Sequence, residues 1–380
     1  MQNRMIIASE IWPPDIGGPA TFAFKLASFL RSQSVEAKVL TYADRTEITN
    51  DFVAIDRRRF ILKRYVKYFW QLLKLSKDTD LIFAQGAVAS GIPAMLVKML
   101  TNKKLIIKIV GDVVWERENN AGKTNVGIDD FQKIKSPWLF VHRCLRNLPL
   151  HCAEQIIVPS EYLKKIVINW GINENKVKVI YNSFDLPKID LNKEEAKERL
   201  HLSGKIVLSV GRLTKWKGFE TLINLWTKVL QNFPDAKLVI VGSGPEEEKL
   251  KIYNLKFKIY NSIIFAGQVK QEDMSSYYSS ADLFILNSGY EGLSHVVLEA
   301  LGFGLPVAIS NVGGNPELVQ DRVNGRLFTY NNEAEILAII REYLQLSPDD
   351  LMAVKMRAQK SVEQFSFEVM TKKYLELLTE

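Results

Sequence analysis

Short apolar runs recur near residues 4–9, 36–42, 80–84, 104–110, 155–158 and 177–181, and again near 205–210, 236–241, 262–266, 281–286, 306–310 and 326–329. Longer amphipathic stretches of helical period separate them, and this alternation restricts the chain to α/β units built on parallel sheets. At 380 residues the chain is too long for one hydrophobic core and suits two domains. Residues 185–192 are polar, contain one proline and show no periodicity, so the link between the halves falls there. No low-complexity tract or solenoid repeat competes with this reading.

The second half concentrates the chemistry. The run at 281–286 reads as a buried strand, 289–293 as the turn after it, and Ser294 as the N-cap of a helix reaching about Leu301. The amides of residues 294–297 then lie at a helix N-terminus, where anions bind. Glu291 precedes that helix and Glu299 sits eight positions later, a span of about 12 Å at roughly 1.5 Å per residue. This length suits two hydroxylated rings joined by a pyrophosphate, one carboxylate accepting from sugar hydroxyls and the other from ribose. A capped core helix with solvated glutamates fits the same spacing. His295, at the helix start, either lines the phosphate site or faces away.

A second loop strengthens the first reading. The strand at 205–210 runs into Gly211-Arg212-Leu213-Thr214-Lys215-Trp216-Lys217-Gly218 before a helical pattern. Two glycines frame a turn that brings Arg212 and Lys217 to the mouth of a strand–loop–helix unit. A diphosphate there would meet a forked guanidinium and a point-charge ammonium. The alternative is a pair of ordinary surface cations. In the first half, Asp112 closes the run Lys108-Ile109-Val110-Gly111-Asp112 at the carboxyl edge of a strand, where open parallel sheets bind ligands.

These residues resemble a known family. Val210-Gly211-Arg212-Leu213 with Gly218, and Glu291-Gly292 with Glu299-Ala300, look like the large family of retaining glycosyltransferases with the GT-B fold, of the family 4 (group 1) type. Trp12-Pro13-Pro14-Asp15-Ile16-Gly17-Gly18 resembles its N-terminal glycine loop, and Val241-Gly242-Ser243-Gly244-Pro245 also matches. The resemblance covers nearly the whole chain. It implies two Rossmann-like domains whose parallel sheets face an interdomain cleft: residues 1–185 on the acceptor side, 186–365 binding the nucleotide sugar, and a final helix at 366–380 crossing back to the first domain.

The resemblance also implies an activity: a hexose passes from a UDP- or GDP-linked donor to an acceptor hydroxyl on a glycan or a lipid-linked chain, with retention and with neither metal nor cofactor. Arg212, Lys217 and the amides near Ser294 would stabilise the departing diphosphate. Glu291 would orient the donor sugar, Glu299 would hold the ribose, and Asp112 would meet the sugar or the acceptor. Gly17, Gly18, Gly292, Leu293 and His295 would complete the donor site. The family often carries a histidine near the strand end at 108–112. Gly111 and Asp112 stand there in this chain, which leaves that contact to the donor sugar open.

Other patterns restrict the alternatives. Gly17-Gly18 does not make Gly-x-Gly-x-x-Gly, so the usual dinucleotide fingerprint is missing. Cys144 and Cys152, even with His142 and His151, match no common zinc spacing. No export signal precedes the first strand, and the apolar stretch at 81–100 is broken by Gln85, Gly86, Gly91, Pro93 and Lys98, so a cytoplasmic protein is expected. Residues 1–185 carry 27 Lys and Arg against 18 Asp and Glu, whereas the remainder carries 23 against 25. The basic excess is densest at Arg57-Arg58-Arg59 and the helix that follows, where Leu62, Val66, Phe69 and Leu73 are expected to face a core and Lys63, Arg64, Lys67 and Lys74 solvent. That surface suits an anionic membrane, an acidic glycan or nucleic acid, or is an ordinary solvated face. A sugar-nucleotide epimerase of the same fold, or a non-catalytic protein binding anionic surfaces, are the competing readings; the latter leaves the acidic pair and the Arg212–Lys217 loop unexplained.

Overall fold

The computed structural model describes residues 4–15, 18–58, 60–184, 191–257, 259 and 261–379. The chain forms two compact units, Met1–Tyr181 with Glu368–Glu380, and Asn182–Phe367. Most of the linker assigned from sequence, residues 185–190, lies outside the described residues, as does Gly17.

The first unit is built on β1 (Arg4–Ala8), β2 (Glu36–Ala43), β3 (Glu47–Ile48), β4 (Phe52–Asp56), β5 (Leu81–Gln85), β6 (Lys104–Lys108), β7 (Gln155–Val158) and β8 (Val177–Val179). Their order is β3-β4-β2-β1-β5-β6-β7-β8, parallel throughout except for the antiparallel edge pair β3 and β4. Those two strands escaped the sequence reading. No helix separates β2 from β4, so the strand–helix alternation gives no signal there. β5 is buried along its whole length, as expected of a parallel strand covered on both faces.

The helix Ile61–Ser76 corrects one expectation. Tyr68 and Leu72 are fully buried and Phe69 and Leu73 pack at the core's edge, but Leu62 and Val66 point to solvent. The core stripe is fixed by Tyr68, whose hydroxyl donates to the carbonyls of Ser9 and Leu40 at 3.2 and 3.1 Å. The helix carries two apolar stripes, and periodicity alone does not tell which one packs inward.

The C-terminal helix, Phe367–Thr379, contributes Tyr374 to the first unit's core, 5.2 Å from Phe22 and 5.9 Å from Phe83. Lys108 is buried beside them, its ammonium 3.2 Å from the centroid of the Phe22 ring. Burial lowers its amine from 10.5 to about 7. The unfolded chain therefore binds the extra proton, so the destabilising contribution of Lys108 is full below about pH 7 and fades toward pH 10.5. Lys108→Met is expected to raise stability at pH 7 by on the order of 2 kcal/mol; the gain is held to that size because the Phe22 face favours the ammonium and is lost with it. Urea unfolding at neutral and alkaline pH checks this: the advantage over wild type should shrink as pH rises.

The second unit contains β9 (Ile206–Val210), β10 (Lys237–Val241), β11 (Ile263–Gly267), β12 (Leu283–Leu286), β13 (Val307–Ser310) and β14 (Arg326–Phe328). Each falls where an apolar run places it. All pairs are parallel, in the order β11-β10-β9-β12-β13-β14. The chain winds outward from β9 to β11, then returns to β12 on the other side of β9. The strand order therefore reverses between β9 and β12, and the carboxyl ends of strands at such a reversal are where open parallel sheets bind ligands.

Candidate functional site

Both loops singled out from the sequence leave the sheet at that reversal. After β9 the chain passes Gly211 and Arg212, makes a tight turn at Lys215–Lys217, and enters the helix Phe219–Leu230 through Gly218. Gly218 has φ +59°, and a Cβ there would lie 2.4 Å from both the backbone oxygen and the side-chain amide of Asn287. Only glycine satisfies both demands. Asn287, fully buried after β12, donates to the Gly218 carbonyl at 2.9 Å, and the Gly289 amide donates to the Trp216 carbonyl at 2.6 Å. The two loops are thus stitched together by backbone and amide hydrogen bonds before any charged group acts.

This stitching brings Lys217 and Glu291 into an ion pair at 2.5 Å. The Ser288 hydroxyl donates to the same carboxylate oxygen, Oε1, at 2.7 Å. The backbone of Glu291 is braced by the loop after β13. The Gly314 amide donates to its carbonyl at 2.9 Å, and Gly313, at φ +59°, packs so close to that carbonyl that a Cβ would sit 2.0 Å from it. Arg212 is exposed, and among the described residues its guanidinium makes no hydrogen bond or ion pair. The loop after β9 therefore carries one cation already matched to a carboxylate and one that is not.

The helix after β12 runs His295–Gly302 with Ser294 at its N-cap. The Ser294 side chain is buried and does not cap the helix, contrary to the usual role of serine at that position. Gly292 and Leu293 are buried in the turn, and the Leu293 carbonyl accepts from the Asn182 side chain at 3.1 Å. His295 lies with Nδ1 3.3 Å from the Ser183 carbonyl. Glu299, one helical stretch further on, is partly exposed and accepts from the Tyr278 hydroxyl at 2.6 Å and from the Gln271 amide at 3.1 Å. Burial, and then the charge of Glu299, push the Tyr278 phenol well above its ordinary value. Tyr278 is thus a fixed donor that holds the Glu299 carboxylate in place.

In the first unit Asp112 departs from the display at a strand end expected of it. Its carboxylate is fully buried rather than displayed at a strand end. It is the N-cap of the helix Val113–Asn120, accepting from the Val114 amide at 3.0 Å, and it also accepts from Gln132 at 2.9 Å and pairs with Arg146 at 2.7 Å. Arg146 is itself buried, stacked 3.4 Å from the Trp170 ring centroid. With both oxygens engaged in this way, the carboxylate braces the helix. Gly18, the other glycine of the first loop, begins the helix Gly18–Ser32.

Sequence reasoning missed Glu10. The first unit's strand order reverses between β1 and β5, and Glu10 follows β1 at that reversal. It accepts from the Ala89 amide at 3.2 Å and lies against Gly86, whose φ of +109° and missing side chain make room for it. Burial raises its carboxyl from 4.5 to about 6. The available signal was its place as the first ionisable residue past an apolar strand.

Comparison with known proteins agrees with this architecture. A family model described as glycosyl transferases group 1 matches residues 191–361, and one described as glycosyltransferase family 4 matches residues 16–188. An uncharacterized glycosyltransferase of Haemophilus influenzae is 29% identical over 367 residues, covering 92% of this chain and 95% of its own. One from Methanocaldococcus jannaschii is 35% identical over 192 residues, and the match spans about half of each protein, 48% and 49%. Among solved structures, an Anabaena protein in complex with UDP and glucose superposes with a TM-score of 0.80 over 99% of both chains, at 20% identity. That likeness establishes the two-domain GT-B fold.

Proposed function

Because the chain belongs to the group 1 glycosyl transferases, we propose that it moves a hexose from a UDP- or GDP-linked donor to an acceptor hydroxyl with retention at the anomeric carbon. The observation that carries this reading is the Lys217–Glu291 pair at the strand reversal of the second unit, with Arg212 exposed on the same loop as Lys217. The complex of the Anabaena structure with UDP and glucose supports a nucleotide-sugar donor.

In the proposed reaction the bond from the anomeric carbon to the diphosphate oxygen breaks while the acceptor oxygen bonds to the same face of that carbon. The acceptor proton passes to the leaving phosphate. Negative charge builds on the diphosphate as the bond breaks, and Arg212, Lys217 and the first-turn amides of the helix His295–Gly302 stabilise it more than they stabilise the ground state. Glu291 orients the sugar through its hydroxyls and Glu299 accepts from the ribose. A panel of nucleotide hexoses, with the product anomer read by NMR, tests the proposal; hydrolysis or epimerisation without an acceptor-linked product would overturn it.

Because protein cations carry the diphosphate charge, transfer should persist in excess chelator, and activity lost to chelator and restored by magnesium or manganese would contradict that. Glu299→Ala should weaken nucleoside diphosphate binding by about 1–3 kcal/mol, the range for a lost hydrogen bond to a charged group. Calorimetry measures this directly, and unchanged affinity would remove Glu299 from the ribose site.

A further inference from the structure

Three helices of the first unit lie side by side, with Gly91–Thr101 packed between Ile61–Ser76 and Pro137–Cys152. Their outer surfaces are unusual for an α/β protein. On the first, Leu62, Val66 and Trp70 form an exposed stripe at helical spacing opposite the buried Tyr68 and Leu72, with Trp70 61% exposed. On the middle helix Met99 and Leu100 are 71% and 67% exposed. On the third, the solvent face is apolar along its length: Trp138, Val141, Leu145 and Leu148 recur every three to four residues, and Phe140 beside them is 67% exposed. Single exposed apolar residues need no explanation, but stripes repeated on three adjacent helices do.

Charge identifies what covers this face. None of the three helices contains an aspartate or a glutamate, whereas each of the second unit's helices Phe219–Leu230, Glu333–Leu344 and Pro348–Ser361 carries acid in its first turn. Lys63, Lys67 and Lys74 flank the Leu62–Val66–Trp70 stripe and form no ion pair among the described residues. Lys123 lies 5.7 Å from the Trp138 ring centroid. The arginines just before the first helix are otherwise engaged: Arg57 pairs with Asp15 and Asp44, and Arg58 with Asp56, while Arg59 lies outside the described residues. A second copy of the chain would set cation against cation across such a face. An anionic bilayer offers both what the lysines and what the aromatic side chains require.

We propose that the outer face of these three helices docks on an anionic lipid surface, with Trp70, Trp138 and Phe140 entering the interface and Lys63, Lys67 and Lys74 meeting headgroup phosphates. Among the described residues no helix is long and apolar enough to cross a membrane, so the attachment is peripheral. The proposal is independent of the transfer reaction, since none of these residues belongs to the second unit.

The test is flotation of the full chain with vesicles of phosphatidylglycerol and phosphatidylcholine against pure phosphatidylcholine. Binding to the anionic vesicles is expected, weakening as salt shortens the Debye length. Each of Lys63→Ser, Lys67→Ser and Lys74→Ser should lower the partition coefficient about fivefold, as expected for a basic residue close to the surface. Trp138→Ser with Phe140→Ser should remove the binding that survives high salt; both side chains are exposed, and circular dichroism confirms that the fold is kept. Quenching of wild-type tryptophan emission by brominated phosphatidylglycerol gives a readout that needs no variant. Absence of binding, equal binding to neutral vesicles, or light scattering that shows a dimer broken by the Trp138 and Phe140 substitutions would each overturn the proposal.

Discussion

Asp112→Ala is expected to lower the unfolding free energy by about 3–5 kcal/mol, because it leaves the buried Arg146 guanidinium without its counter-charge. Burial already lowers the Arg146 pKa, and Asp112 is the group that opposes this. The same substitution removes the N-cap of the helix Val113–Asn120 and takes from the Gln132 amide one of its two acceptors, so the loss belongs at the upper end of that range. Asp112→Asn keeps the cap but not the charge and should fall between. Replacing both partners, as Asp112→Asn with Arg146→Met, should cost less than the sum of the single changes, since an apolar side chain can stack on Trp170 without a buried charge to satisfy. Urea denaturation of the cycle measures the coupling. A stable Asp112→Ala protein that had lost transfer would return Asp112 to the chemistry and refute its bracing role.

Lys217→Met should reduce transfer by about 10²–10³-fold, the usual effect of removing one preorganised group from a site of developing charge. Glu291→Gln should also reduce transfer, but with the opposite effect on the product. Glu291 holds the Lys217 ammonium at 2.5 Å, and its negative charge partly cancels the cation that a diphosphate would meet. Neutralising the carboxylate while keeping its shape leaves Lys217 available. Nucleoside diphosphate should therefore bind Glu291→Gln as tightly as wild type or more tightly, even as turnover falls, whereas Lys217→Met should lose both. Calorimetry with UDP and GDP beside single-turnover assays separates the two, and parallel losses of affinity in both variants would mean that Glu291 contacts the diphosphate side of the donor rather than the sugar.

Much of the second unit was legible in the sequence. Its strands β9, β12 and β13 are buried along their whole length, as parallel strands covered on both faces are, while the edge strands β11 and β14 are mostly partly exposed; its glycine-framed loops mark where the chain must turn tightly. Arg212, Lys217 and Glu291 stood out for a related reason: each is an ionisable group a few residues past a buried strand. The first unit was less legible where the pattern was degenerate. The helix Ile61–Ser76 has two apolar stripes, and only its packing, with Tyr68 anchored to the Ser9 and Leu40 carbonyls, settles which one faces the core. Asp112 looks like a displayed carboxylate until Arg146, more than thirty residues away in sequence, is seen to bury it.

The sequence by itself determined the α/β class, the succession of strands and helices, and the family, because apolar period and glycine position are local properties of the chain. Tertiary structure alone decided which charges meet. Whether a carboxylate becomes a brace like Asp112, a partner like Glu291 or an acid of raised pKa like Glu10 depends on desolvation and on groups delivered from distant strands. Those interactions act through space, and no spacing along the chain encodes them.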